Sequence, residues 1–142
     1  MITCHSEFGK LQRVFVKSAS AAFVNESQLE EQWQQLNFLS KPDLSKAKSE
    51  YQTFEQLLKL CGAKLSYFPE DSSVTLDSMY CRDASIATDF GMILCNMGKQ
   101  ARVPEPAACE QIYKQLEIPI LGTITSPGTL EGGDVAWVDA RT

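Results

Sequence analysis

The chain has 142 residues, 44% of them hydrophobic and 22% charged, which is enough apolar material for one soluble domain and too much for a disordered one. Thirteen Lys and Arg against eighteen Asp and Glu give a net charge of -5, with no basic cluster interleaved with aromatics, so nucleic acid is a poor partner. Met1 to Lys10 lacks the charged start and apolar run of a secretory signal, and no apolar stretch approaches the roughly 20 residues of a membrane span. Five cysteines, at 4, 61, 81, 95 and 109, form no CxxC pair, which argues against a disulfide framework and against a zinc site. The expectation is a reduced cytoplasmic protein that uses no membrane, metal or cofactor.

Leu11 to Lys17 is a β-rich run of strand length, and the small residues Ser18 to Asn25 then read as a loop. Leu29, Trp33 and Leu36 recur at helical spacing within Gln28 to Asn37, with Glu30 and Glu31 near the positive end of the dipole. Asp43 or Ser45 can cap the clearest helix, in which Ala47, Tyr51, Phe54, Leu58 and Cys61 form one apolar stripe. Gly62 stands where a left-handed C-terminal residue is wanted, and Lys64 to Phe68 follows as a strand closed by Pro69. Short strands are expected over Ser78 to Cys81, Ala84 to Thr88 and Met92 to Met97, the last two forming a hairpin about Asp89, Phe90 and Gly91. Pro104 and Pro106 open a helix to Leu116 with Ala108, Ile112, Tyr113 and Leu116 as its buried stripe. Pro119 to Ile124 and Val135 to Asp139 are the last strands.

This alternation fits either a doubly wound sheet or a ring of small ββαβ modules, and spacing alone does not choose. The apolar strand after the Gly-rich turn has no following helix to cover it, so the end at Thr142 reads as a truncation.

Three polar clusters lie beside strands: Arg82-Asp83, Gly98 to Arg102, and Glu131-Gly132-Gly133-Asp134. Taken singly, each has an ordinary explanation. An Arg-Asp dipeptide at a strand end is usually a surface pair, and paired glycines usually supply a turn with positive φ. GTLEGGD lacks the Lys-Ser/Thr ending of a phosphate-binding loop and opens no helix. Taken together, two carboxylates and an arginine on small-residue turns suit a planar cation that also carries a carboxylate, because a guanidinium donates paired parallel hydrogen bonds to carboxylates.

The runs Tyr80 to Thr88, Gly91 to Leu94, Gly98 to Arg102 and Thr129 to Val135, in that order and spacing, resemble the signature blocks of dimethylarginine dimethylaminohydrolases and their deiminase and amidinotransferase relatives. Met1 to Pro69 is similar to the family's opening module. The resemblance implies the α/β pentein fold, a five-bladed ring of ββαβ modules. Residues 1-142 would then be the N-terminal part of a single guanidino-modifying domain, comprising two modules and the start of a third.

The resemblance also implies site residues. Asp83 and Glu131 fall on the two carboxylates that accept hydrogen bonds from the substrate guanidinium, and Arg102 falls on the arginine that holds the substrate's α-carboxylate. Ser18 to Phe23 lies where the family has a mobile lid. A second arginine, a general acid/base His and a nucleophilic Cys are expected beyond Glu131, and none is present here, so no catalytic residue is assigned in this chain. His5, the single histidine, precedes the first strand and reads as a surface or capping residue. Cys61, Cys95 and Cys109 read as core, and Cys81 as a packing position despite its neighbour Arg82.

The implied activity is cysteine-dependent hydrolysis of a guanidino group, most like conversion of methylated arginine to citrulline plus an alkylamine, with this chain alone inactive. The first module leaves no room for the helical insertion of the larger arginine deiminases. The alternatives are a deiminase or amidinotransferase relative, or a non-catalytic pentein-like binding module. The implied partner is a small guanidino molecule, arginine or methylated arginine. An open ring would also be expected to self-associate into homo-oligomers.

Overall fold

The computed structural model describes residues 7–138, so Cys4, His5 and Asp139 lie outside the described residues. The chain forms two compact units, one of Lys10–Tyr80 and one that joins residues 7–9 to Cys81 and the residues after it.

In the first unit, β1 (Arg13–Val16) pairs in parallel with β2 (Lys64–Tyr67), Arg13 opposite Lys64 and Val16 opposite Tyr67. Parallel neighbours need a long crossover, and three helices supply it. The first, α1 (Ala19–Phe23), occupies the segment expected to be a loop. Ser18 caps it, its hydroxyl accepting from the Ala21 amide at 3.2 Å, and Ala19, Ala22 and Phe23 are buried. Small residues that look like loop composition here serve close helix packing. Asn25 caps α2 (Glu26–Gln32) by accepting from the Gln28 amide at 2.9 Å, two residues before the expected start.

The long helix α3 (Leu44–Leu60) starts at the expected Asp43 cap, which accepts from the Lys46 amide at 2.9 Å. It ends as the sequence requires. Gly62 has φ +84°, its amide bonds the Lys59 carbonyl, and the Ala63 amide bonds the Leu58 carbonyl, which is the Schellman arrangement. The stripe on α3 is less buried than its spacing suggests, because Phe54 and Cys61 are exposed and no residue of the helix is fully enclosed. The core of this unit instead gathers Val16, Phe23, Leu29, Leu36, Phe68 and Leu76, with Phe15 stacked on Phe68 at 5.1 Å.

The strand expected over Ser78 to Cys81 is not formed. Leu76–Met79 is a 3₁₀ turn, in which the Ser78 amide bonds the Thr75 carbonyl and the Tyr80 amide bonds the Asp77 carbonyl. These local bonds take the amides that a ladder would need.

The second unit is built on a ββαβ sequence. β3 (Ser85–Thr88) and β4 (Gly91–Leu94) form the expected hairpin, and after α4 (Glu105–Gln115) the chain returns as β5 (Ile120–Thr123), parallel to β4, giving the order β3-β4-β5. Gly91, at φ +147°, sits so close to the Pro119 carbonyl that any side chain would overlap it. Cys109 and Tyr113 of α4 are buried and Leu116 is exposed, so the buried face is rotated slightly from the expected stripe. The Tyr113 hydroxyl meets the Ser85 hydroxyl at 2.7 Å and ties α4 to β3. Ile86, Cys95 and Met97 form a cluster against which Ile93, Leu130, Val135 and Trp137 pack.

Residues 135–138 of the expected last strand pair with no strand among the described residues. Instead, the Val135 carbonyl accepts from Arg82 at 3.0 Å and the Trp137 amide donates to Glu7 at 3.4 Å. Side chains thus take backbone groups that a ladder would use.

Candidate functional site

Asp83 and Glu131 are far apart in sequence and are brought together by backbone contacts of the second unit. Past the end of β4, the Leu130 amide donates to the Asn96 carbonyl at 3.0 Å, and the Gly132 amide donates to the Asp83 carbonyl at 2.8 Å. These bonds lay the 128–134 segment along the start of β3. Gly98 then orients Glu131 directly, its amide donating to Oε1 at 3.2 Å.

The paired glycines have a different reason from the one expected. Neither Gly132 nor Gly133 has a positive φ; both are needed for close approach. A Cβ on Gly132 would collide with the Arg82 and Ser85 carbonyl oxygens, and one on Gly133 would stand 2.5 Å from Asp83 Oδ1. Glycine therefore allows the turn carrying Glu131 to seat against the residue carrying the other carboxylate.

Arg102 ends a short 3₁₀ turn, Gln100–Arg102, just before α4. Its side chain is 7% exposed and enters the same place, with Nη1 2.7 Å from Asp83 Oδ2 and 3.7 Å from Glu131 Oε2. The structure thus brings all three expected site residues together.

Glu105, which the sequence reading passed over, is the fourth member. It is 3% exposed, lies in the first turn of α4, and accepts from Arg102 Nε at 2.9 Å and from Nη2 at 2.8 Å. Burial alone would lower the guanidinium pKa, but hydrogen bonds to Glu105 and then Asp83 outweigh it and hold the value above the ordinary arginine range. The available signal was an Arg and a Glu three apart where prolines open a helix, a spacing that allows a local ion pair.

Asp83 and Glu131 keep 22% and 29% of their side-chain surface. They are the accessible part of the cluster, and a carboxylate that accepts one hydrogen bond retains lone pairs for others. Arg82 turns away, bonding Glu7 at 3.3 Å and the Val135 carbonyl, so the adjacent Arg and Asp of the sequence do separate things. Cys95 is buried beneath the cluster, and burial pushes its thiol up to about 11, which leaves it a neutral packing group. Among the described residues no group of His, Cys, Asp and Glu is arranged to hold a metal ion, and no helix is long and apolar enough to cross a membrane. A cavity of about 250 Å³ lies in the Lys10–Tyr80 unit, lined in part by Ser18, Lys48, Glu55 and Tyr67, and contains none of these residues.

No protein-family model matches the chain. A dimethylarginine dimethylaminohydrolase of Pseudomonas aeruginosa is 27% identical over 100 residues, a match that covers 70% of this chain and 39% of that protein. Among solved structures, dimethylarginine dimethylaminohydrolase from Pseudomonas aeruginosa, a cysteine-to-serine variant complexed with citrulline, superposes with a TM-score of 0.72 at 21% identity, over 92% of this chain and 48% of that one. A histidine-to-glycine variant of dimethylarginine dimethylaminohydrolase, as an adduct with S-methyl-L-thiocitrulline, gives a TM-score of 0.71 at 22% identity over 90% and 47%. The chain therefore has a pentein fold over the part that it covers, and it spans less than half the length of the relatives it matches. The likeness to dimethylarginine dimethylaminohydrolase is present in both sequence and backbone.

Proposed function

We propose that this chain supplies the guanidinium-binding carboxylates of a cysteine-dependent guanidino hydrolase, most like one that converts methylated arginine to citrulline and an alkylamine. The observation that carries the reading is the convergence of Asp83 and Glu131 on one guanidinium nitrogen of Arg102, at 2.7 and 3.7 Å, with both carboxylates still partly exposed. A site that already holds one guanidinium group between two carboxylates has the charge and spacing to orient another. Their role is electrostatic preorganisation: they align the planar cation and offset its charge without moving a proton.

Attack at the guanidinium carbon and protonation of the leaving amine need a thiolate and a general acid, which the described residues do not supply at the site, so by itself the chain binds and does not turn over. The single domain and cytoplasmic location belong to this reading, the latter supported by thiols at Cys61 and Cys95. The test is calorimetric titration with arginine of the chain and of Asp83→Asn and Glu131→Gln. Each variant loses at least roughly tenfold in affinity, as removal of one charge-assisted bond requires. Affinity unchanged in both would remove these carboxylates from the ligand site.

A further inference from the structure

The cavity of about 250 Å³ in the Lys10–Tyr80 unit is lined by residues of that unit alone and holds none of the groups assigned above. One wall is a face of α3, where Lys48, Tyr51, Gln52 and Glu55 recur at the three- and four-residue spacing that puts side chains one above another. Ser18, Ala19 and Ser20, the cap and first residues of α1, complete it together with Tyr67 at the end of β2. A helix usually lays apolar side chains on the elements it packs against. On this face α3 instead presents a cation, an amide and a carboxylate to a cavity shared with α1 and β2.

The two ends of this face carry opposite charge. Lys48 is half-buried, and no described residue forms an ion pair with it: Lys46 has Glu50 four residues on, at 3.8 Å, where Lys48 has Gln52. Glu55 is half-buried as well, and the Tyr67 hydroxyl, donating to its Oε2 at 3.1 Å, holds the carboxylate while leaving it acceptor sites. Two turns of helix, about 10 Å of rise, separate the backbones of Lys48 and Glu55. A partly desolvated cation without a counter-ion, facing the same cavity as a carboxylate, suits a molecule that carries the complementary charges. A volume below the roughly 300–1,000 Å³ of drug-sized pockets keeps that molecule small.

We propose that this cavity is a second ligand site, which takes a small linear zwitterion: a carboxylate on Lys48 beside Ser18 and Ser20, an ammonium on Glu55, and an apolar stem along Tyr51. The class is ω-amino acids rather than α-amino acids. The lining offers one cation and one carboxylate, so the α-ammonium of lysine or arginine would stand against Lys48. The site stands independently of the guanidinium reading.

Titration of the ¹⁵N-labelled chain with 6-aminohexanoate, followed on its amides, tests this. Saturable shifts are expected at Ser20, Lys48 and Gln52, with Gly98, Gly132 and Gly133 unmoved. Hexylamine, hexanoate and lysine bind at least roughly tenfold more weakly: the first two each lack one charge-assisted bond, and lysine adds the α-ammonium. Lys48→Gln brings 6-aminohexanoate to the level of hexylamine on the unmodified chain, and Glu55→Gln brings it to that of hexanoate. Lys46→Gln, which removes the pair with Glu50 outside the cavity, leaves its affinity unchanged. The absence of saturable shifts at the cavity amides overturns the proposal, as does equal affinity for any of the three comparison ligands. So does 6-aminohexanoate binding that survives both cavity substitutions. The comparison of ligands on the unmodified chain decides the matter even if no variant folds.

Discussion

Arg102 and Cys95 show how burial decides what a reactive side chain can do. Arg102 is charged and enclosed because Glu105 and Asp83 supply hydrogen bonds in place of water. At Cys95, burial, with Asp83, Glu131 and Asp134 nearby, outweighs a hydrogen bond from the Gly132 backbone, so it stays a thiol. Its folded pKa, about 11, lies above the ordinary thiol value of 9.0, so the unfolded chain ionises first as pH rises. The stability contributed by the neutral thiol is complete below about 9 and is lost as pH climbs through about 11. Urea denaturation across that window should show a falling stability whose slope is smaller in Cys95→Ala, and an equal slope would contradict the assignment. Iodoacetamide at pH 8 should modify the exposed Cys61 and spare Cys95.

At the residue scale the sequence was informative about Asp83, Glu131 and Arg102, whose signature blocks placed them before any geometry was known. It was silent on Glu105. A Glu in the first turn of a helix is ordinarily a solvated dipole partner, and only the burial of this turn makes it the counter-ion of Arg102.

Among elements, the turn carrying Glu131 and the start of β3 depend on each other through Gly132. The Gly132→Ala side chain would meet two backbone carbonyls, which cannot move aside as a side chain can. Denaturation should show a loss of roughly 1–3 kcal/mol, with weakened arginine binding, because the turn is pushed away from Asp83. Gly122→Ala, in β5 with nothing within 4 Å, is the control and should stay within about 0.5 kcal/mol. If Gly132→Ala were as stable as this control, close approach would not explain the paired glycines.

Elements with strong local signals were readable in the sequence. Asp43 and Gly62 bound α3 as expected, and Gly91 marks the β3–β4 hairpin. The misses have physical reasons. Ser18 to Phe23 lacks large apolar residues at helical spacing, yet a Ser cap and three small or aromatic buried residues make it a helix. Ser78 to Cys81 has strand-like composition, but the Ser78 and Tyr80 amides bond three residues back. Apolar spacing on α3 gave the helix correctly and its burial incorrectly, because periodicity reports an apolar face and not what covers it.

For the molecule as a whole, the ββαβ order of β3, β4, α4 and β5 and the match to dimethylarginine dimethylaminohydrolase structures agree on the fold. Periodicity could not choose between a doubly wound sheet and a ring of modules, since both alternate strands with helices. The signature blocks make the choice because they mark backbone segments distant in sequence that touch, as Gly132 does on Asp83.

The central claim is that Asp83 and Glu131 form a site for a guanidinium group, and an amide map of the ¹⁵N-labelled chain titrated with arginine tests it most directly. The account predicts saturable shifts at Gly98, whose amide bonds the Glu131 carboxylate, at Gly132, whose amide bonds the Asp83 main-chain carbonyl, and at Gly133, which lies beside the Asp83 side chain, with the amides of β1 and β2 unmoved. Saturable shifts that leave those three glycines unmoved would contradict it.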